Sequence, residues 1–546
     1  MTIRSSSSPR RVVILGGGFG GVTVAQELEK LTRGDARAVQ VTLVSQTNYL
    51  LFLPMLAEAA AGSVELTHVL SPLRALLPKT DIRVEMVESI DLASRTVATR
   101  DAATMATHVL QWDALVIALG STVSLTGMQG VAEHGLPIKT IGDALSIRNR
   151  AVHMLEAAAA MKSRDARASL LTFVVCGAGF SGVEMAAELL DYLVDSVKLY
   201  SHIDRSEIRI VLLQSGARIL PEISEKLAAF AHRKLQARGV EIRLGARLAS
   251  ATATRVHLTD GHTIATRTLI VAIGAGPNPV LAPLDVPKER GRLRVDERLQ
   301  IIGRDDVWAL GDCAAVPLSE PGIFAPPTAQ FALREGHTVG KNVHAALTGR
   351  TPTTFQFRGL GQMVSLGHHS AVAELGGRVQ LAGLPAWLLW RSFYLMRLPG
   401  LDRKLRVWLD WNLDLFFRRD LAQLNVERSE RIASANYDVG EDIISQGDLA
   451  DAFYVIERGE VQVLRMEDGR EREVARLGPG DTFGEVALLR QQRRNATVRA
   501  LTLVEVIVVT RGDFDQLVGT WRALATTIES AAVSRNSGAP DSPNRT

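Results

Sequence analysis

Up to about residue 355, short apolar runs alternate with longer stretches of helical periodicity. The runs RVVILG, VTLV, ALVIALG, LTFVVCG, IRIVLL and LIVAIG are apolar on both faces. Strands of that kind, separated by helices, predict parallel sheets covered on both sides. From 384 to about 420 the chain turns to Leu, Trp, Phe and Arg. From about 435 the pattern changes again, to short strands broken by glycine turns: DIISQGD, AFYVIERGEVQVL, EVARLGPGD and LVEVIVV. That last region predicts a separate small β-barrel or β-roll.

The 546 residues fit three or four domains. A net charge of only +3 sets nucleic acid aside as the main partner. The two cysteines, Cys176 and Cys313, have no CxxC spacing, so neither a zinc ribbon nor a thioredoxin-type pair is expected, and no metal site is expected elsewhere. The N-terminal MTIRSSSSPRR runs straight into a strand too short for a signal-peptide core, and no apolar run of ~18 residues predicts a spanning helix. Residues 1–10 and 531–546 are expected to be disordered.

Two glycine motifs carry candidate chemistry. The first, Gly16-x-Gly18-x-x-Gly21, follows the strand Val12–Leu15 and opens a helix. Gly16 permits the tight turn, Gly18 lets the backbone approach a pyrophosphate, and Gly21 lets the helix pack close to the strand. The second, Gly177-x-Gly179-x-x-Gly182-x-Glu184, follows the strand Thr172–Cys176. Two such loops, each placing phosphates at a helix N-terminus, point to two dinucleotides or one duplicated fold.

Further stretches decide between these. VWALGDCAAV ends a strand at Gly311-Asp312, and TLIVAIGAGPNP precedes it. With the two loops in this order, residues 10–355 resemble the pyridine nucleotide–disulfide reductase superfamily. The resemblance implies FAD on the first fold, with Asp312 near the ribityl and pyrophosphate, and NAD(P)H on the second. Because the cysteines read better as small buried residues, electrons are not expected to leave through a dithiol. TNYLLFLPMLAEAAAG (47–62) and PPTAQFALREG (326–336) narrow the resemblance to type II NADH dehydrogenases. In that family the Ala329-Gln330 segment lies by the flavin where quinone approaches, and the Gln330 amide is suited to a quinone carbonyl. Glu184 is expected to accept the nicotinamide-ribose hydroxyls, or to relay protons near the flavin.

Dinucleotide folds usually end their second strand with an acid that binds ribose hydroxyls. Here the first copy ends in Ser45 and the second in Gln214. FAD binding is then expected to lean on Asp312 and the phosphate loop. Gln214 does not repel the 2′-phosphate of NADPH, and Arg218 is near enough to reach it. The RILP segment at 218–221 resembles NADH-using relatives, so NADH use with NADPH tolerated is expected.

The segment 384–419 holds Trp387, Trp390, Trp408 and Trp411, four of the seven tryptophans. After Pro399, Leu401, Leu405, Trp408, Leu409 and Phe416 share one helical face, with Arg403, Arg406, Asp410 and Asp414 largely opposite. Tryptophan and arginine at an apolar helix edge suit an interfacial helix on membrane lipid. With MVSLGHHSAVAELGG before it, this segment resembles the C-terminal helices that hold bacterial type II enzymes on the membrane and frame the quinone entrance.

The last domain resembles a cyclic nucleotide-binding domain. The resemblance puts its phosphate cassette at Gly484, Glu485, Ala487 and Arg494, with Glu485 on the ribose 2′-OH and Arg494 on the cyclic phosphate. Asn495 stands where the family has a small or hydroxyl residue, which leaves cAMP against cGMP open.

The expected whole is an α/β chain with two Rossmann-like folds, an amphipathic helical anchor and a C-terminal β-roll. The expected units are 11–165 with 276–355 (FAD), 166–275 (NAD(P)H), 356–425 (membrane and quinone) and 426–530 (cyclic nucleotide). The expected function is a hydride from NAD(P)H to FAD and electrons on to a membrane quinone, without proton pumping, at the cytoplasmic face of the inner membrane. Cyclic nucleotide is expected to move a hinge around 425–436 and alter quinone access. The rival readings are a soluble NAD(P)H:acceptor reductase and a cyclic-nucleotide receptor with an inactive flavoprotein part. A homodimer is left open.

Overall fold

A computed structural model describes residues 9–33, 39–123, 125, 127–273, 275–320, 322–423, 433–448, 450, 452–467, 470–489 and 492–510. The expected disordered N-terminus lies almost wholly outside these residues, as do the C-terminal tail and most of the expected hinge.

The first core is a seven-stranded sheet. Val39–Ser45, Arg10–Leu15, Ala114–Ile117 and Val307–Ala309 are parallel neighbours, buried on both faces, as their continuous apolar runs predicted. Asp81–Asp91 extends this sheet and then turns antiparallel into Thr96–Asp101 and Thr107–Gln111, the last of which alternates exposed and half-buried residues. The second core is a five-stranded parallel sheet ordered Gly135–Pro137, Thr268–Val271, Thr172–Cys176, Arg209–Gln214, Val240–Leu244. Gly135–Pro137 thus hydrogen-bonds into the second sheet, although the expected division at 165/166 leaves it with the first.

A three-stranded antiparallel excursion, Leu248–Ala251, Arg255–Leu258 and Thr263–Ala265, packs its apolar face against Val174, Cys176, Val211 and Leu213 of the second sheet. Helix Ala329–Thr348 returns to the first fold. It leads to the strands Gly361–Ser365, Ala371–Leu375 and Val379–Gly383, then to helices Leu384–Arg397 and Leu401–Leu413.

Those two helices divide the four tryptophans. Trp387, Trp390 and Trp411 are buried, and only Trp408 of the four is exposed. The polar face of Leu401–Leu413 turns inward: Asp410 Oδ2 bonds His68 Nδ1 at 2.6 Å and accepts from Glu65 N at 3.1 Å, while Arg403 Nη1 donates to Thr67 O at 3.2 Å. The apolar face is left outside, with Leu401 84% and Phe416 81% exposed beside Leu405, Trp408, Leu409, Leu413 and Phe417. Among the described residues no helix is long and apolar enough to cross a membrane.

The C-terminal region is a β-roll of two four-stranded antiparallel sheets, closed around Tyr437, Ile443, Tyr454, Ile456, Val461, Phe483 and Val506.

Candidate functional site

The two glycine loops fold alike. Gly16 has φ +112° and Gly177 +102°, values that disfavour any side chain. A Cβ on Gly21 would lie 2.0 Å from Gly16 O, and one on Gly182 1.7 Å from Gly177 O, so each helix reaches its strand only because no side chain intervenes. A Cβ at Gly18 would meet nothing within 4 Å, and one at Gly179 only Glu222 Oε1 at 3.3 Å. The backbone of both loops therefore faces open space where a pyrophosphate fits, at the starts of helices Phe19–Leu31 and Phe180–Ser196.

Around the first loop, Ser45 is buried at the end of its strand, with its Oγ accepting from Thr47 N at 3.4 Å. Asp312 follows Gly311, whose φ is +71°. The Asp312 carboxylate accepts from Ser121 Oγ at 2.8 Å, Ser121 Oγ accepts from Lys139 Nζ at 2.8 Å, and Lys139 lies 3.8 Å from Asp312. Beneath them, Gly311 N donates to Glu335 Oε2 at 2.7 Å. Glu335 is 1% exposed, and burial pushes its carboxyl up to about 7. Sequence alone gave Glu335 no role. An acid in the second turn of a helix that is otherwise apolar on that face was the available clue. Phosphate-facing backbone, an anchored aspartate and a nearby lysine fit the dinucleotide half of FAD.

Around the second loop, Gln214 is tied at both ends of its amide. Its Oε1 accepts from Ala178 N at 3.3 Å and its Nε2 donates to Arg218 O at 3.2 Å. The Arg218 side chain donates to Pro221 O at 2.8 Å.

The helices of the two loops meet at a cavity of about 610 Å³ lined by Phe19, Phe52, Phe180, Glu184, Ala329, Gln330, Gln362, Tyr394 and Arg397. Ala329 begins helix Ala329–Thr348, which places Gln330 at the cavity wall. The Gln330 amide also donates to Gly361 O at 3.1 Å and accepts from Leu360 N at 3.0 Å, so it fastens the 360–361 turn to the wall. Phe19, Phe52 and Tyr394 succeed one another edge to face, with centroids 5.8 and 6.1 Å apart, from the first glycine loop to the exposed helix pair.

Glu184 enters from the second-loop helix and accepts from Ser365 N at 3.1 Å. Burial, reinforced by Glu58 and Glu188, pushes it up to about 8. Glu58 and Glu188 are 3% and 4% exposed, and burial raises both. Their counter-ions come from helix Leu384–Arg397 and from the segment just beyond Leu401–Leu413. Arg391 lies 4.0 Å from Glu58 and Arg419 lies 3.4 Å from Glu188, while Trp411 Nε1 donates to Glu58 at 3.3 Å. Sequence reasoning missed this buried cluster.

Cys176 and Cys313 are both buried, and burial pushes each thiol up to about 12, which disfavours thiolate chemistry at either.

In the β-roll, Glu485 opens the short helix Glu485–Leu489 and is buried with Ala487. Arg494 is 3% exposed; it donates to Gly484 O at 2.9 Å and to Ala452 O at 2.7 Å, and lies 6.0 Å over the Tyr454 ring. Gly484, Glu485, Ala487 and Arg494 are thus brought to one end of the roll, while Asn495 is exposed.

Three family models match successive parts of the chain. A pyridine nucleotide-disulphide oxidoreductase model matches residues 10–336, an NDH2 C-terminal domain model 360–420, and a cyclic nucleotide-binding domain model 435–520. The type II NADH:quinone oxidoreductase Ndh of Mycobacterium tuberculosis is 32% identical over 435 residues, covering 76% of this chain and 90% of the relative. The demethylphylloquinone reductase NdbB of Synechocystis is 32% identical over 407 residues, covering 73% and 95%. The solved structure of Plasmodium falciparum NDH2 in complex with NADH superposes with a TM-score of 0.69 at 20% identity, over 76% of this chain and 99% of that one, a likeness of fold. With a family model over more than half its length and a relative of this identity, the chain belongs to the type II NADH:quinone oxidoreductases of the pyridine nucleotide-disulphide oxidoreductase superfamily.

Proposed function

We propose that the chain oxidises NADH, and NADPH to a lesser extent, and reduces a membrane quinone to quinol at the cavity beside Glu184 and Gln330. The balance is NADH, a proton and quinone in, and NAD+ and quinol out. The first loop with Ser45, Gly311, Asp312 and Ala329 would hold FAD, which would supply the two-electron chemistry between the pyridine nucleotide and the quinone. The second loop, with Gln214, holds the pyridine dinucleotide. The observation that carries this reading is the shared cavity: its lining comes from both glycine-loop helices and from Tyr394 and Arg397 of helix Leu384–Arg397.

The chain's own contribution is position, dryness and protons. Phe19, Phe52 and Phe180 give the cavity an apolar lining. Glu184, raised to about 8 by burial, holds its proton at neutral pH and is placed to give it to a quinone oxygen. Gln330 fixes the wall, and rotation of its amide exposes a donor to a quinone carbonyl. The outward apolar face of Leu401–Leu413 lies on the membrane surface, on the cytoplasmic side, bringing the cavity mouth to a lipid-soluble acceptor. The β-roll takes cyclic AMP or cyclic GMP as an effector, with Glu485 on the ribose and Arg494 on the phosphate; the Arg494 guanidinium exchanges its carbonyl partners for the ligand.

The test is NADH oxidation by the flavin-loaded protein with a short-chain quinone, together with flotation on liposomes containing anionic lipid. Quinone-dependent turnover and flotation that is lost in Leu405→Ser/Trp408→Ser/Phe416→Ser are expected. A protein that stays colourless after incubation with FAD overturns the reading, and turnover without flotation reduces it to a soluble acceptor reductase.

A further inference from the structure

The β-roll rests on the second dinucleotide fold. Its anchor is Glu441, 3% exposed, in the turn before the strand Asp442–Ile444. The Glu441 carboxylate is set into the turn that joins Leu248–Ala251 to Arg255–Leu258. It accepts from Thr252 Oγ1 at 3.2 Å, from Thr254 Oγ1, and from its own domain's Asp438 N at 2.8 Å, and it faces Arg255 at 3.4 Å. Around it, His257 pairs with Asp438 at 2.8 Å, Ala253 N donates to Asn436 O at 3.2 Å, and Asn436 N donates to His134 Nε2 at 3.2 Å. Burial holds His134 down at about 4, so its ring stays neutral and free to accept that bond at physiological pH. A carboxylate buried with this many donors resists withdrawal, because any gap leaves a charge unsolvated.

Both ends of this contact lead to a site. On the β-roll side, Arg494 N donates to Asp448 O and Gly447 N to Arg494 O, each at 2.8 Å. The strand Thr497–Ala500 begins three residues later and pairs with Asp442–Ile444. At its end Ala500 N donates to Glu441 O at 2.9 Å. One strand therefore spans from the phosphate-binding arginine to the anchor. On the enzyme side, the three-stranded excursion shares its core with Cys176 and Leu213, at the strand ends that present the Gly177 loop and Gln214. Ala246 N donates to Gln214 O at 2.9 Å, and Ala251 N to Gln129 O at 3.0 Å.

We infer that the β-roll is coupled to the pyridine-nucleotide site, through Glu441 seated in the Thr252–Arg255 turn, so that cyclic nucleotide beside Arg494 changes the affinity for NAD(H). This rests on the cyclic-nucleotide reading above and replaces the expected route through a hinge to the quinone cavity. Coupling of this kind is reciprocal in binding, so NAD+ must change cyclic-nucleotide affinity by the same factor.

The experiment uses the full-length, flavin-loaded protein, with cAMP and cGMP titrated separately by calorimetry, with and without saturating NAD+. NADH and a short-chain quinone are then each varied in steady-state assays. For the nucleotide that binds, a change of about fivefold or more in NAD+ affinity is expected, matched by the reciprocal change in cyclic-nucleotide affinity, with KM for quinone unmoved. Glu441→Gln is expected to abolish the linkage while cyclic-nucleotide binding persists. Because Glu441 is buried, Arg255→Ala and His257→Ala on the enzyme side serve as a second pair that keeps basal turnover and weakens the linkage. Binding with no change in NAD+ affinity, or an effect confined to quinone, overturns this inference alone. Absence of binding by both nucleotides overturns the reading of the β-roll itself, and the inference with it.

Discussion

The two dinucleotide folds of this chain are built on one plan and put to different use. Their loops match closely: both first glycines sit at positive φ, and both third glycines leave no room for a Cβ beside the carbonyl of the first. Neither second strand ends in the acid that the plan usually supplies. One difference lies in the placement of two carboxyls that burial pushes up, Glu335 and Glu184. In the first, Glu335 lies beneath the loop that carries Asp312 and braces the Gly311 amide. In the second, Glu184 stands on the loop's own helix and points into the cavity, with Glu188 one turn behind it. The glycine loop sets where phosphates can lie, and the face of the adjoining helix sets what chemistry stands next to them.

The largest effects come from breaking the shared part. Gly21→Ala and Gly182→Ala each force a Cβ onto a carbonyl, an overpacking that costs about 1–3 kcal/mol where it is tolerated at all. Absorbance should separate them: Gly21→Ala purifies without flavin colour, whereas Gly182→Ala stays yellow and is not bleached by NADH. Colour retained in the first variant would break the assignment of the two loops.

Exchanging the carboxylates sharpens the contrast. Glu184→Gln should slow quinone reduction by about a hundredfold, while NADH still bleaches the flavin at a near-normal rate in stopped flow. In the parent enzyme the quinone half-reaction should fall above about pH 8, as Glu184 loses its proton, and this limb should vanish in the variant. Equal slowing of both half-reactions would place Glu184 with the pyridine nucleotide instead.

Glu335 should act on stability. Its folded carboxyl, near 7, lies above the ordinary carboxylate value, so the folded state holds a proton that the unfolded chain has lost. That contribution is complete below about pH 4.5 and disappears as pH rises towards 7, a loss of roughly 3 kcal/mol at most. Thermal melts of Glu335→Gln, which keeps an acceptor for Gly311 N, should show a flatter decline of Tm across this window than the parent.

The smallest effect concerns the strand ends. Gln214→Glu should lower kcat/KM for NADPH by about tenfold and leave NADH within threefold, because a carboxylate repels the 2′-phosphate. The same exchange at Ser45 should not alter coenzyme choice.

The sequence was informative where the backbone itself imposed the residue. Glycines that must lack a Cβ, and strands apolar on both faces, announced the two sheets and both loops. The buried ions were harder to see. Glu58 lies in an alanine-rich stretch that reads as core, and its partners Arg391 and Trp411 come more than 300 residues later. The four tryptophans of 384–419 looked alike, yet three are buried, and two of these flank Arg391, whose guanidinium lies 4.1 Å from the Trp387 ring centre and 4.6 Å from that of Trp411. The seat of Glu441 had no local mark, since an acid after a glycine in a turn is ordinary surface composition until Thr252 and Thr254 are folded against it.

Arg391 and Arg419 also bear on any attempt to trim the helices Leu384–Arg397 and Leu401–Leu413 from the chain. Cutting the chain before helix Leu384–Arg397 would remove the Arg391 and Arg419 guanidiniums that face Glu58 and Glu188, together with Trp411, which bonds Glu58. The outer leucines, Trp408, Phe416 and Phe417 are exposed and can be repainted with polar side chains, leaving the inward arginines where they are.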